Sequence, residues 1–498
     1  MHAPILPFAL AALCGVAAGR AGLDAGIAPG VALALAALGA AALRSRRVAR
    51  LALIAATGTF GVARAEATRL APLPPGPIAA RVCVEHVSRR EDGRIAAEGS
   101  LDTPGGEARA RFSLPSWLAS TEPGSALAVK GRVLPPDVGL SPGERDPSDA
   151  LAERGLSGML RVESATPDGT CGTASWIAPW RRGLRASIEE ALPPREAGFA
   201  RALALGERDG VWREDEDAFR RTGTVHVLVV AGLHLAMVAA AVAAIARRAL
   251  ARAGARTLQA VDVRVVASVA AIAAAAAYAA LAGAGVSTER ALGGAALGVA
   301  ALAFGAVPSP WNAWAVALGA VALADPAAPA RPAFALSFLA VAGILAAGGL
   351  GAPPAEATRV QRLALAAANA ARTTFAAAAS TAPALAMLFG RVPLAGVAAN
   401  LLAVPLAGAA LVPILLAAVS PHAVAVLLLH GAEPLLAGLG GVVRATAALR
   451  WASRPLWFPT LAAAAIEAAV FGGWLLRGRA RVALLAVGAA VAVGTCAR

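Results

Sequence analysis

Apolar residues run in long blocks along most of this chain, separated by short polar stretches. Three blocks open it, at about residues 4–21, 27–43 and 48–65. Each is near the roughly 20 residues a helix needs to cross a hydrocarbon core about 30 Å thick, the second being the shortest. The first has no basic segment before it and a second block soon after, so it reads as a retained helix and not a cleaved leader. From about Thr224 the apolar pattern resumes, with a helix expected over 224–246. Further spans are expected near 265–283, 290–306, 311–325, 332–350, 376–390, 394–419, 422–442, 456–476 and 480–496. The stretch 394–419 carries Pro405 and Pro413, where it would divide into two shorter pieces.

Residues 66–222 follow a different rhythm. Proline and glycine clusters such as Leu73-Pro74-Pro75-Gly76-Pro77 and Leu134-Pro135-Pro136-Asp137 separate short segments with period-two alternation. Five strands are expected, over Ile78–Val87, Arg94–Leu101, Ala108–Leu114, Ala126–Val133 and Gly158–Ser164, enough for a small barrel or sandwich. From Ser175 the period becomes helical. Trp176, Trp180, Leu184, Ile188 and Leu192 recur at steps of four with arginines between them, describing an amphipathic helix beside the membrane, and a second helix is expected over about 195–207.

Composition supports the membrane reading. Of 498 residues, 58% are hydrophobic and only 15% charged, and the mean hydropathy is +0.65, which excludes a disordered chain. The net charge is +14, but residues 67–222 hold 21 basic and 23 acidic side chains, so the excess lies in short arginine clusters between apolar runs. Arg44, Arg46, Arg47 and Arg50 form one such loop; Arg247, Arg248, Arg252, Arg256 and Arg264 form another. The positive-inside rule puts both in the cytoplasm, which makes the N-terminus cytoplasmic and the strand-rich insertion extracytoplasmic. Lys130 is the single lysine, and the central segment has no cationic excess that would by itself establish DNA binding.

Cys14 and Cys496 sit in apolar runs and read as small buried residues. Cys83 and Cys171 bracket the insertion on the side where disulfides persist; they are either a bridge, stabilising by roughly 4–5 kcal/mol through chain entropy, or two separate thiols. His226 and His234 lie eight residues apart around Gly232. On an unbroken helix they would differ by about 80° and 12 Å and could not share a metal, though Gly232 allows a break. They are either functional intramembrane histidines or packed ones bonded to backbone.

The run Val225-His226-Val227-Leu228-Val229-Val230-Ala231-Gly232-Leu233-His234 resembles the signature of the ComEC competence proteins, inner-membrane DNA-uptake channels. Other segments resemble that family in the same order. They are Ser141-Pro142-Gly143-Glu144-Arg145-Asp146, Arg154-Gly155-Leu156, Ala204-Leu205-Gly206-Glu207-Arg208, and Tyr278 with Gly283, Ser287, Arg290 and Ala291. Asp325-Pro326, Phe334–Ala340 and Ala399-Asn400-Leu401-Leu402-Ala403-Val404-Pro405-Leu406 complete the series, which covers about residues 5–480. Ala231 and Ser141 depart from the family's serine and asparagine. None of the six histidines forms the His-x-His-x-Asp-His motif of the metallo-β-lactamase-like domain that many members carry, so that hydrolase is not expected here.

The resemblance implies a polytopic α-helical membrane protein with an extracytoplasmic OB-like β-barrel insertion. Residues 1–66 would be N-terminal transmembrane helices, 67–174 the OB-like domain, 175–222 juxtamembrane amphipathic helices and 223–498 the competence transmembrane domain. It implies a channel passing single-stranded DNA into the cytoplasm. Its partners would be membrane lipid, a cytoplasmic helicase or translocase, an extracytoplasmic DNA receptor and, for degradation of one strand, a separate nuclease. Neither a catalytic activity of its own, a cofactor nor a metal is expected. A phosphate in hydrocarbon needs a polar lining, and the candidates are Glu289, Arg290, Ser337, Asn369, Arg372 and Asn400 with His226, Gly232 and His234. Arg362, Asn369, Arg372 and Thr373 fall within one helical face, the alternative for such arginines being to snorkel at the interface; Ser337 and Asn400 would bond between helices. In the insertion, Arg111, Phe112, Trp117, Lys130 and Arg132 are candidate DNA contacts, the alternative being a structural or gating domain. A secondary transporter and a histidine-dependent membrane enzyme remain rival readings.

Overall fold

The computed structural model describes residues 10–14, 16, 57, 73–89, 95–103, 106–115, 118, 121, 124–134, 151, 156–171, 177–228, 232–252, 262–283, 292–293, 309–349, 351, 354, 356–475, 486–488 and 490–492. The expected spans 27–43, 48–65 and 290–306 fall almost wholly outside these residues, and 4–21 and 480–496 largely so. Glu289, Arg290, Trp117 and Trp176 also lie outside them. The chain divides into two compact units, one of residues 1–184, 276–307 and 315–331, the other of 185–275, 308–314 and 332–498.

The first unit holds a closed five-stranded barrel. Its strands are β1 (Gly76–Arg89), β2 (Ile95–Thr103), β3 (Gly106–Leu114), β4 (Ser125–Leu134) and β5 (Gly158–Thr170), in the order β1-β2-β3-β5-β4 with β4 returning to β1. All pairs are antiparallel except β3 with β5. Alternation places Val84, Leu101, Phe112, Val129 and Leu160 inside, because a closed sheet has one interior face and successive side chains point to opposite faces. Closure needs sharp local bends. The register of β4 on β5 shifts between Lys130 and Gly131, where a Cβ on Gly131 would collide with the Arg161 carbonyl oxygen. Cys83 on β1 and Cys171 just after β5 are joined by a disulfide.

Helix α1 (Ala178–Ala191) buries Arg181, Leu184 and Ile188 on one face, continued by Leu192 beyond its end, while Trp180 is 53% exposed. The stripe therefore runs from Ile177 through Arg181 and not through Trp180, as the sequence pattern had it. The buried Arg181 guanidinium donates to the Leu281 carbonyl oxygen, so its polar end is satisfied.

The second unit is helical. After α2 (Pro194–Leu205), α3 (Arg213–Thr222) and the short α4 (Val225–Leu228) comes α5 (Gly232–Arg252). Helices α6 (Val263–Leu281) and α7 (Pro310–Ala324) are each shared between the units; α8 (Pro332–Ala347), α9 (Arg359–Phe389), α10 (Gly396–Ala417), α11 (His422–Ala447) and α12 (Thr460–Leu475) follow. Four of these are long and apolar enough to cross a membrane: His234–Arg252, Val263–Leu281, Gly396–Ala417 and His422–Ala447. Pro310–Ala324, Pro332–Ala347 and Leu461–Phe471 are shorter apolar helices.

Two expectations are corrected here. Helix α10 runs unbroken through Pro405 and Pro413, and α11 through Pro434. In an apolar bundle the neighbouring helices and local adjustments accommodate the carbonyls that proline leaves without a donor. Helix α9 is a single element of 31 residues where the apolar pattern marked only 376–390, because its first half carries Arg359, Arg362 and Arg372 along with exposed Val360 and Leu363. A capping box starts it, with the Thr358 hydroxyl and Gln361 side chain each accepting from the other's backbone N–H. Short strands β6 (Arg391–Pro393) and β7 (Ser453–Pro455) pair antiparallel and tie the end of α9 to the segment after α11.

Candidate functional site

Of the signature histidines, His226 sits at a turn built from α3 onward, and His234 lies eight residues further along, in α5. Helix α3 ends at Gly223, whose φ of 69° lies in the left-handed region that glycine adopts without strain. A Cβ there would also stand 2.6 Å from Pro393 Cγ, so β6 presses directly on the turn. The buried Thr222 hydroxyl donates to the Ala218 carbonyl at 2.9 Å, so the Thr224 hydroxyl, 2.8 Å away, is the donor between the two threonines. His226 Nδ1 lies 3.0 Å from the Gly223 carbonyl oxygen. A carbonyl only accepts, so Nδ1 carries the proton and Nε2 is left as the acceptor. His226 is exposed and His234 is 2% exposed. Of the helix expected over 224–246, the described parts are α4, which carries His226, and α5, which carries His234.

This turn meets the other signature segment. Helix α10 packs against α4, and a Cβ on Gly396 would stand 3.1 Å from the Thr222 carbonyl oxygen. Further along, a Cβ on Gly408 would overlap the Met237 methyl of α5, so small residues let the helices approach closely. Asn400 lies one turn beyond Gly396 on the same side of α10. Its Oδ1 is buried and has no hydrogen-bond donor among the described residues.

Around the turn lies a charged girdle that the sequence reading missed. Asp215 of α3 is 1% exposed and accepts from Arg195 Nε and Nη2 at 2.6 and 2.7 Å and from Arg444 Nη1 of α11 at 3.0 Å. Its hydrogen bonds hold the Arg195 guanidinium above its ordinary pKa against the opposing effect of burial. Arg195 also lies over the Trp212 ring, 4.7 Å from its centroid. Arg185 bonds Glu207 at 3.0 and 2.5 Å, and Arg201 reaches Glu189 and Asp209 at 2.7 and 2.9 Å. The cluster surrounds α2, where Phe199 packs edge-on to Phe219 and against Gly440 of α11. Of the juxtamembrane helix expected over about 195–207, residues 195–205 are thus largely buried. Seven acidic residues between Glu196 and Asp217 were the available signal; their spacing did not reveal which arginine each would meet.

The remaining candidates do not join this turn. Arg372 donates from Nε to the Gly348 carbonyl at 3.1 Å and from Nη2 to the Ala347 carbonyl at 2.5 Å, and its guanidinium lies over the Trp474 ring. It therefore closes the C-terminal end of α8, satisfying carbonyls that a helix end leaves without partners. Asn369 is beside it, near Gly349. Ser337 is exposed, so the bond between helices expected of it is not made through a buried face. A cleft of about 410 Å³ lined by Pro354, Glu356, Ala357, Gln361 and Leu365 contains none of the candidates. Among the described residues, then, the polar groups named from the sequence lie in separate contacts and not along one lining. No group of three or more metal-ligating side chains occurs among them either.

On the barrel, Phe112 is 1% exposed in the core and offers no face for a base to stack on. The alternation that makes it β3's inward residue places Arg111 on the outside. Lys130 and Arg132 are exposed on β4, and the register sets Arg161 of β5 directly opposite Arg132. Like charges across a strand pair are unfavourable, and this pair was invisible without the register.

Among the described residues, four helices long and apolar enough to cross a bilayer, with a small closed barrel in the same chain, mark a membrane protein. The chain belongs to the Competence protein family, whose model matches residues 203–480, more than half of it. It is 34% identical over 189 residues to the competence protein ComA of Neisseria gonorrhoeae, a match covering 35% of this chain and 25% of that relative. The chain thus matches about a quarter of the relative's length. No solved structure matches the chain.

Proposed function

We propose that the protein acts in DNA uptake during natural transformation, as a bacterial inner-membrane channel that passes single-stranded DNA into the cytoplasm. Family membership over the bundle supports this reading. The observation that carries it is the meeting of two signature segments at the α4–α10 contact, beside an intramembrane amide whose acceptor is unused among the described residues. A buried polar group without a partner is costly in hydrocarbon and is expected where a polar ligand passes. The path is assigned to the α4, α5 and α10 region with His226, His234 and Asn400; Arg372 braces α8.

In this reading the barrel is OB-like and extracytoplasmic. Its strand order, parallel β3–β5 pair and disulfide support that assignment, since disulfides persist outside the cytoplasm. The N-terminus is cytoplasmic by the arginine loops. Lys130, Arg132 and Arg161 would meet phosphates before the strand enters the bundle, taking over the role expected of Phe112. The chain performs no covalent chemistry; a cytoplasmic translocase drives transport, and a receptor and a nuclease act outside.

The test is an in-frame deletion in a transformable host, complemented with wild type or Asn400→Leu. The deletion should abolish entry of labelled DNA into the nuclease-protected pool while surface binding persists. Asn400→Leu should insert and unfold like wild type yet lower entry at least about tenfold, because it removes an unsatisfied acceptor without breaking a bond. Unchanged entry in the deletion strain would reject the reading.

A further inference from the structure

Helix α12 carries one ionisable residue, Glu467, within Thr460–Leu475. Both carboxyl oxygens are buried, and neither has a hydrogen-bond partner among the described residues. Helix α12 packs on α8 and α9; Gly488 lies against its Ala469 and Ile466, while Ala462, Ala463 and Ile466 pack with Ala382, Ala386 and Val392. The charged groups on the packed elements are Arg359, Arg362 and Arg372 of α9 and Arg391 of β6. Helix α8 and residues 486–488 and 490–492 carry none. Arg372 is engaged by the Ala347 and Gly348 carbonyls, beside Trp474, which is seven residues and so about 10 Å along α12 from Glu467. Among the described residues, no cation pairs with this carboxyl.

We propose that Glu467 is a proton-binding site inside the apolar bundle, occupied when α8, α9 and α12 are packed as described. An ionised carboxylate in a dry, unpartnered setting is strongly disfavoured, whereas the neutral acid tolerates it. Releasing the proton to bulk water leaves a carboxylate that requires water or a cation beside it, so ionisation opens the α12 seam and reprotonation closes it. Only a proton is exchanged, with the aqueous phase as its source and sink. The site belongs to the bundle whatever solute the protein moves.

The test uses the full-length protein in phospholipid vesicles and the lipid-soluble reagent dicyclohexylcarbodiimide. The acid proton passes to a reagent nitrogen as the carboxylate oxygen bonds to its central carbon, so only a protonated carboxyl reachable from lipid is modified. Mass mapping should find the adduct on Glu467 in mildly acidic buffer, and its yield should fall at least about tenfold in alkaline buffer. Glu467→Gln should lose the adduct while unfolding like wild type, since glutamine matches the neutral acid in shape. Should that variant fail to insert, the infrared carbonyl band of a protonated carboxyl in the wild type, lost in alkali, reads the same property. Absence of both adduct and band, or equal modification at all pH values by a water-soluble carbodiimide, would overturn the proposal.

Discussion

Removing the Asp215 carboxylate should be among the most damaging single changes outside the apolar core. It eliminates three charge-assisted hydrogen bonds, at 2.6, 2.7 and 3.0 Å, and leaves two guanidiniums facing an empty site. Breaking a wholly buried pair costs about 3–5 kcal/mol. Here the Arg195 and Arg444 side chains are 24% and 39% exposed, so water reaches both and the lower end applies. Asp215→Ala should lose about 3 kcal/mol, and Arg444→Ala about 1 kcal/mol because the two-point Arg195 contact survives. Unfolding of the purified protein in mixed micelles, followed by tryptophan fluorescence, measures both. The sign of the pH dependence also follows. Arg195 is raised in the fold, so its contribution is complete at every pH below its unfolded value and fades only as pH climbs through the higher folded one. The difference between wild type and Arg195→Gln should therefore be flat from about pH 6 to 10. A loss under about 1 kcal/mol for Asp215→Ala, or a larger one for Arg444→Ala, would refute the reasoning.

Three further outcomes are expected. Replacing Cys83 and Cys171 together by serine releases a link across 88 residues and should destabilise the barrel by roughly 4–5 kcal/mol, visible as faster proteolysis within residues 76–170. A Cβ on Gly343 would overlap the Ser380 hydroxyl, so Gly343→Leu should separate α8 from α9 at a cost of about 2–3 kcal/mol, and Ser380→Gly should partly restore the unfolding midpoint. Replacing Arg132 and Arg161 by glutamine should weaken binding of single-stranded oligonucleotide and reduce the slope of log affinity against log salt by about 1.4, with little effect on stability. An unchanged slope would remove these residues from the DNA path.

Strand alternation marked the five barrel strands because one face of each meets a closed interior, but the same alternation could not say that the sheet closes. That depends on β5 returning between β3 and β4, a pairing of residues far apart in sequence. Phe112 shows the limit. As an aromatic among arginines it resembled a stacking platform, and only the direction of its side chain made it core. Arg372 likewise satisfied the spacing for a polar face, yet the end of α8 claimed its guanidinium.

Hydrophobic block length by itself determined that this is a membrane protein, because the thickness of a bilayer converts directly into a number of residues. The ordered signature segments likewise disclosed the family. The tertiary structure decided which charges meet. Asp215 with Arg195 and Arg444, and Arg132 opposite Arg161, are contacts between distant parts of the chain, as is the packing that leaves Glu467 unpartnered among the described residues; electrostatic energy depends on the separation and burial that folding alone sets.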